Sequence, residues 1–199
     1  MRTILLPSRD ISLEVVMAAY NDPEVLTLTL EGYRRQTDRN FSLCIADDGS
    51  GPEVAEVIER YRGLGLNIRH VWHEDRGFRK AQIVNCAIEG SRAEFGLHLP
   101  RWASQLWSRK PLALLGANMG VWREHLMAVN GFDSDFEGYG AEEVDLEWRL
   151  IGWGVKQRAM RGRGGLIHIH HQRQADAYVF HLLQHKQQAG EVVARNGIR

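Results

Sequence analysis

The sequence predicts an α/β protein with a doubly wound, mostly parallel sheet in a single domain. Strand-like and helix-like segments alternate through the first ninety residues, and no repeat, low-complexity tract or linker divides the 199 residues. Because parallel strands are joined by right-handed crossovers, this alternation predicts helices on both faces of one sheet. We expect one domain over 1–199, in which residues 1–93 form a first half and 94–199 a second half.

Three short apolar runs are expected to form the buried strands. They are LEVVMAAY at 13–20, FSLCIA at 41–46 and NIRHVW at 67–72. Residues 21–24 (NDPE) are typical of a helix start, with a capping side chain, a proline at the first position and an acid in the first turn. The helices after the three strands are expected to bury Val25, Leu26, Thr29, Leu30 and Tyr33; Val54, Val57, Ile58 and Tyr61; and Ile83, Val84, Ala87 and Ile88.

The second half of the chain has a less regular pattern. Helices are expected at 101–110, 124–129 and 141–154, the last ending at Gly152 or Gly154. Strands are expected within 112–122 and 165–171. An amphipathic helix at 175–189, with Tyr178, Phe180, Leu182 and Leu183, is expected to pack on the core, with a homodimer or a peripheral membrane contact left open as other fates.

Composition excludes several functional classes. Lys plus Arg and Asp plus Glu both number 25, and this zero formal charge argues against a nucleic-acid partner. The sequence contains no apolar run of 18 residues, so no transmembrane helix is expected. The start MRTILLPSRD lacks the apolar core of a signal peptide. Two cysteines, Cys44 and Cys86, suit a reducing compartment. We therefore expect a cytoplasmic protein.

Three polar loops follow the predicted strands and are expected to meet at one sheet edge, where doubly wound sheets bind ligands. In the second loop, Asp47 or Asp48 can accept hydrogen bonds from a base or a ribose, although a simple Asp-Gly turn has the same sequence. In the third, Arg76, Arg79 and Lys80 open a helix, which favours an anion such as a diphosphate. The alternative is a solvated charge run that neighbouring acids neutralise.

Three acids begin the helix predicted at 141–154. Their position near a helix N-terminus is favourable in any protein, so a well-capped helix is one interpretation. The other is a general base facing a cleft. Asp145 and Arg149 are spaced to pair with each other, which leaves Glu143 as the more available base.

The metal-binding signals in the sequence are weak. His168 and His170 share one face of the strand predicted at 165–171, and His171 faces the other. Asp133-Ser134-Asp135 has an acid-x-acid spacing, but it lies in a glycine-rich loop and is expected to order that loop. Neither pattern is specific by itself.

Six segments together resemble a known family of enzymes. They are VVMAAYND, CIADDGS, EDRGFRKAQIVN, GANMGVWRE, NGFDSDFEGYGAEEVDLEWRL and IHIHH, in this order. They are similar to the inverting, nucleotide-sugar-dependent glycosyltransferases of the GT-A (Rossmann-like) fold. The first half resembles family 2 enzymes, and the second resembles the galactosyltransferase-type C-terminal segment. The likeness covers residues 13–92 and 113–173.

The resemblance implies transfer of a sugar from a UDP-sugar to a glycan or lipid-linked glycan acceptor. It implies Glu143, the second acid of the Glu142-Glu143 pair, as the general base. It also implies a divalent cation, Mn²⁺ or Mg²⁺, held by His168 or His171. The binding residues it implies are Tyr20, Asn21, Asp47 and Asp48 for uracil and ribose, Arg76, Arg79 and Lys80 for the diphosphate, Asn118 for the donor sugar, and Asp133 and Tyr139 for the acceptor.

One part of the family pattern is missing. The family has a fourth strand that ends in a metal-binding Asp-x-Asp motif after the third helix, whereas here residues 89–94 run directly into FGLHLPRWASQLW. Three explanations are open: a shortened, metal-poor or inactive relative, a surrogate strand at 94–99, or a longer chain of which the 199 residues are part. The alternative function is a non-catalytic nucleotide-sugar-binding or assembly module. A generic Rossmann-type binder is disfavoured because its glycine motifs are absent.

Overall fold

A three-stranded parallel sheet lies at the centre of the computed structural model, which describes residues 12–93, 119–138, 140–157 and 177–199. The strands are β1 (Glu14–Ala19), β2 (Ser42–Asp47) and β3 (Ile68–Trp72), in the order β1-β2-β3. Ala19 of β1 and Trp72 of β3 both lie beside Asp47 of β2. The three strand predictions are therefore confirmed, and their carboxyl ends are aligned in register.

Six helices are described. They are α1 (Pro23–Arg34), α2 (Pro52–Gly63), α3 (Lys80–Glu89), α4 (Arg123–Ala128), α5 (Glu142–Gly152) and α6 (Ala177–Gln188). The carboxylate of Asp22 caps α1 by accepting a hydrogen bond from the amide of Val25, and Pro23 takes the first helical position. Helix α5 ends at Gly152, one of the two predicted end points. Gly154, the other, follows two residues later with a φ of +95°.

Helices cover both faces of the sheet. Successive side chains of β2 point to opposite faces. Leu43 and Ile45 pack in one core cluster with α1 and α2, and Cys44 and Ala46 pack in another with α3, α4 and α5. The predicted stripes of α2 and α3 are buried in full, whereas in α1 only Leu26 and Leu30 are buried and the other three predicted residues are partly exposed. This arrangement confirms the α/β prediction.

Several predictions of the second half fall outside the described residues. They are the helix at 101–110, the surrogate strand at 94–99, the strand at 165–171 and most of the range 112–122. Residues 119–122 are described, and they form neither strand nor helix before α4 begins. Within the described part of the chain, β1 pairs on one side only, with β2.

The last helix packs onto the second half of the chain. Val179 and Leu183 of α6 form a buried cluster with Phe136 and Ala141. The segment after α6 returns along α4, where the amide of Ala194 donates to the carbonyl of Val129 at 3.1 Å. The terminal helix therefore packs on the core, as expected, but through a different face: Leu183 is buried and Leu182 partly buried, whereas Tyr178 and Phe180 are exposed. None of the described helices is long and apolar enough to cross a membrane.

Candidate active site

The two aspartates at the end of β2, Asp47 within the strand and Asp48 just after it, are buried and hydrogen-bonded. Asp47 is 1% exposed; it accepts a hydrogen bond from the amide of Ser50 at 2.8 Å and contacts the ring of His70 at 2.9 Å. Burial raises the pKa of Asp47, but the bonds from His70 and Ser50 outweigh burial and hold this pKa below its ordinary value. The carboxylate is therefore a fixed, charged anchor of the loop.

Asp48 joins the second loop to the third. One of its oxygens contacts Nε2 of His73 at 2.5 Å, and the other accepts the amide of Arg79 at 2.8 Å. Gly49 has a φ of +98°, and a Cβ there would lie 2.5 Å from the Cα of Asp75. Gly49 therefore permits the close approach of the two loops. An Asp-Gly turn accounts for the positive φ of Gly49 but not for its contact with Asp75.

The first loop completes this convergence. The amide of Asn21 donates to Oγ of Ser50 at 2.9 Å, and the hydroxyl of Tyr20 donates to Asp75 at 2.9 Å. The amide of Gly77 and the Tyr20 hydroxyl hold the pKa of Asp75 below its ordinary value. The indole of Trp72 donates to the carbonyl of Ser50 at 3.1 Å. The Trp72 side chain is about half exposed at the same edge. All three predicted loops thus meet at the carboxyl edge of the sheet.

The basic segment splits into groups with different partners. Arg76 pairs with Glu74 at 2.8 Å on the surface, where both side chains are mostly exposed. The guanidinium of Arg79 donates to the carbonyl of Glu74 and to the side chain of Gln82. Lys80 points to the other half of the chain. Neutralisation by an acid of the same segment, the alternative to an anion site, is therefore described for Arg76, whereas Lys80 pairs with acids from elsewhere in the chain.

Lys80 bridges α3 to the acids of α5. Its Nζ lies 2.9 Å from Oε1 of Glu142 and 2.5 Å from Oε1 of Glu143. Glu142 is buried and also accepts the amide of Gly140 at 3.1 Å. Burial lowers the pKa of Lys80, but the two carboxylates outweigh burial and raise this pKa above its ordinary value. The bridge therefore keeps a charged ammonium beside both acids.

A buried ion pair holds α5 in place behind these acids. Nε of Arg149 donates to Asp145 at 2.7 Å, and both side chains are 1% exposed. Nη1 of Arg149 also donates to the carbonyls of Val129 and Gly131 at 2.7 and 2.8 Å. Burial raises the pKa of Asp145 despite the adjacent guanidinium. The predicted pairing is confirmed, and it leaves Glu142 and Glu143 as the acids that meet Lys80.

Lys186 neutralises the acid-x-acid sequence of the glycine-rich loop. Its Nζ, on α6, lies 2.8 Å from Asp133 and 2.7 Å from Asp135. Asp133 is buried, so its carboxylate has no open face toward an acceptor. Asn85 of α3 supports the same loop with two 2.8 Å hydrogen bonds to the backbone of Phe132. The loop-ordering interpretation of Asp133 therefore fits the geometry, and the acceptor role that the resemblance implies for Asp133 does not.

A cavity of about 230 Å³ lies between the start of α3 and this loop. Its volume is below the usual range of whole-ligand pockets, so it suits one polar unit of a larger ligand. Its polar lining combines residues from three parts of the chain: Arg79, Gln82, Ser134, Asp135, Glu137 and Asn196.

Four predicted site residues lie outside the described part of the chain. They are Asn118, Tyr139, His168 and His171. Across the ranges that the structure describes, no three His, Cys, Asp or Glu side chains converge as metal ligands. His70, His73 and Lys186 contact the site acids but were not among the predicted residues. The position of Lys186 on the buried stripe of α6, after Val179 and Leu183, was the available signal.

Two family models match the chain in succession. Glycosyl transferase family 2 matches residues 14–97, and the model described as N-terminal domain of galactosyltransferase matches residues 95–172. The junction between them falls just after the described end of the first half. Together the two models span all three loops of the first half and the acids of α5.

Curated relatives match part of the chain. Hyaluronan synthase of Pasteurella multocida is 28% identical over 86 residues, which are 43% of this chain and 9% of that protein. Amylovoran biosynthesis glycosyltransferase AmsB of Erwinia amylovora is 42% identical over 64 residues, 30% of this chain and 21% of that protein. The matches thus span less than a quarter of these relatives.

The fold has a solved counterpart. The mannosyltransferase PcManGT from Pyrobaculum calidifontis, in complex with GDP-Man and Mn²⁺, superposes with a TM-score of 0.55 and 16% identity. The superposition covers 72% of this chain and 53% of that chain. With the two successive family matches, this likeness shows that the chain belongs to the glycosyltransferases of the GT-A fold.

Proposed function

We propose that the chain transfers a sugar from a UDP-sugar to a hydroxyl of a glycan or lipid-linked glycan, with inversion and with Glu143 as general base. The observation that carries this proposal is the bridge from Lys80 to Glu142 and Glu143. It brings a carboxylate pair within hydrogen-bond reach of the helix that opens at the loop edge. A donor at the loops and an acceptor beside Glu143 would therefore share one cleft.

The loop edge supports a nucleotide. Tyr20 and Trp72 are each 53% exposed and are fixed by hydrogen bonds to Asp75 and to the carbonyl of Ser50. Such exposed, fixed rings suit the face of a base. Asp47 and Asp48 are buried and hydrogen-bonded within the loops, so they hold this edge in place. Because PcManGT is in complex with GDP-Man, a guanine nucleotide is the natural comparison for UDP.

The chemistry follows from the proposed placement. The acceptor hydroxyl is a weak nucleophile at neutral pH, so Glu143 removes its proton as the new bond forms at the anomeric carbon. The transition state has oxocarbenium character, as in glycoside hydrolysis. The departing diphosphate gains negative charge, which Arg76, Arg79 and the dipole at the start of α3 stabilise. A single displacement of this kind inverts the anomeric centre.

The steps above are assigned to side chains and backbone of the chain itself. The predicted ligands His168 and His171 lie outside the described residues, and the acid-x-acid sequence that is described contacts Lys186. Mn²⁺ or Mg²⁺ therefore stays a prediction from the resemblance.

A matched pair of variants tests the proposed base. Glu143→Gln removes the proton acceptor and keeps the shape of the side chain, so transfer is expected to fall by at least about 100-fold. Nucleotide affinity is expected to stay within about twofold, because the amide leaves the loop edge intact. Glu147→Gln, one turn later on α5, is the control and should transfer normally. Full transfer by Glu143→Gln would rule out Glu143 as the base.

A non-catalytic nucleotide-sugar-binding module is the second candidate. The contact of Lys186 with the acid-x-acid sequence favours it, because those carboxylates then have no place for a cation. A chain that binds UDP and UDP-sugars but transfers nothing to any acceptor glycan, with or without Mn²⁺, would favour the module over the enzyme.

A further inference from the structure

The ammonium of Lys80 joins two carboxylates in a continuous chain of contacts. The amide of Gly140 fixes Glu142, Glu142 fixes Lys80, and Lys80 contacts Glu143. The side chain of Glu142 is 3% exposed, that of Glu143 is 17% exposed, and that of Lys80 is 27% exposed. Of the two carboxylates that Lys80 contacts, that of Glu143 is therefore the more exposed.

We propose that Lys80 is a positioning residue that fixes the Glu143 carboxylate for proton removal and does not bind the diphosphate of the donor. This inference rests on the proposed function, because it assigns Lys80 a part in that reaction. It differs from the role that the resemblance implies, in which Lys80 joins Arg76 and Arg79 at the diphosphate.

The first argument is geometric. A glutamate side chain has three rotatable bonds, and a general base must be held within a fraction of an ångström of its productive position. Lys80 contacts Glu143 from a separate helix, 63 residues away in sequence. A contact from outside the helix restricts the carboxylate more than its own helix backbone does.

The second argument concerns the cost of moving the ammonium. If Lys80 turned to a diphosphate, Glu142 would be left buried with one amide as its described partner in place of a charge. Removing one partner of a buried ion pair is strongly unfavourable because the other charge remains uncompensated. Lys80 is therefore expected to stay with Glu142 and Glu143 when the donor binds.

The third argument is that a freer cation lies close by. Arg76 pairs with Glu74 on the surface, where the two side chains are 71% and 68% exposed. Exposed pairs of this kind contribute little and exchange partners readily. Arg76 can therefore turn to a diphosphate at low cost, whereas Lys80 cannot.

The test separates binding from transfer in three variants. The affinity for UDP is measured by calorimetry, and the rate is measured at saturating UDP-sugar. Lys80→Met should lower the rate by about 10- to 100-fold and change UDP affinity by less than about threefold. Lys80→Arg, which keeps the charge and can bridge both acids, should recover most of the rate. Arg76→Met, by contrast, should weaken UDP binding, and its rate should fall as well because Arg76 is placed at the departing diphosphate.

The outcomes are distinguishable. Parallel loss of UDP affinity in Lys80→Met, or a normal rate in that variant, overturns the positioning role and leaves the proposed function standing. A wild-type chain that neither binds UDP nor transfers a sugar overturns both. If Lys80→Met does not fold, as shown by its thermal transition, Lys80→Gln carries the same comparison because it keeps a hydrogen-bond donor.

Discussion

Replacing Lys186 with methionine removes the charge that joins α6 to the loop of the second half. Lys186 is 4% exposed, and its Nζ lies within 2.8 Å of both Asp133 and Asp135 and 3.6 Å from Glu191. Methionine fills most of the same volume, so the change isolates the ammonium. The variant removes the cation that all three carboxylates share, and of the three only Glu191 keeps a described ion-pair partner, Arg195.

The expected cost is large for a single substitution. Breaking a buried ion pair by removing one partner costs about 3–5 kcal/mol. In a chain of this length, each 1 kcal/mol lowers the melting temperature by roughly 2–4 °C. Lys186→Met should therefore melt about 6–20 °C below the wild type.

The sign of the pH dependence follows from Asp135. Burial raises the pKa of Asp135, but the hydrogen bonds from Lys186 and Asn196 outweigh burial and hold this pKa below its ordinary value. A lowered pKa stabilises the fold above about pH 4 and loses this contribution as the pH falls through the folded value. The difference between wild type and Lys186→Met should therefore be largest near neutral pH and shrink toward about pH 3.

Urea denaturation of both proteins at about pH 7 and pH 3 measures this difference. The exposed Lys156 provides the control, and Lys156→Met should change the free energy of unfolding by less than about 0.5 kcal/mol. A loss of equal size at both pH values would refute the charge argument and assign the effect to packing. A loss below about 1 kcal/mol at neutral pH would refute the network altogether.

Two further variants probe the scaffold of the site. Arg149→Met should cost about 3–5 kcal/mol in urea denaturation because it leaves Asp145 buried and unpaired, and adding Asp145→Leu should recover part of this loss; strict additivity would contradict the pairing. Gly49→Ala should cost about 2 kcal/mol or more and weaken UDP binding, because its φ is +98° and the added Cβ meets the backbone of Asp75 at 2.5 Å. Its control is Gly63→Ala, where nothing lies within 4 Å and a helical alanine should be neutral or stabilising; equal losses in both would refute the close-approach argument.

Local sequence pattern was sufficient to predict the strands and helices of the first half of the chain. The stripe of α2 was predicted residue by residue because a helix repeats every 3.6 residues and the signal lies within one segment. The start of α1 was predictable for the same reason, since Asp22 and Pro23 act on their immediate neighbours. The stripe of α1 was predicted too wide, because Val25, Thr29 and Tyr33 lie at its margins and remain partly exposed.

The contacts of the site were less predictable, because they join distant segments. Asp48 meets His73 across two loops, and Lys80 meets Glu142 across 62 residues. Topology predicted that the loops share an edge, but it does not state which side chains pair there. The prediction that Lys80 binds a diphosphate rested on its place at the start of a helix and on the resemblance. Its described partners, Glu142 and Glu143, come from α5.

The nucleotide site can be tested by calorimetry of UDP binding to the wild-type chain, in Mn²⁺ and again in EDTA. We expect UDP to bind, to bind more tightly than GDP, and to bind more weakly once the cation that the resemblance implies is removed. Binding that is equally tight in EDTA would favour the non-catalytic module. No binding of either nucleotide in either condition would contradict the claim that the converging loops form a nucleotide-sugar site.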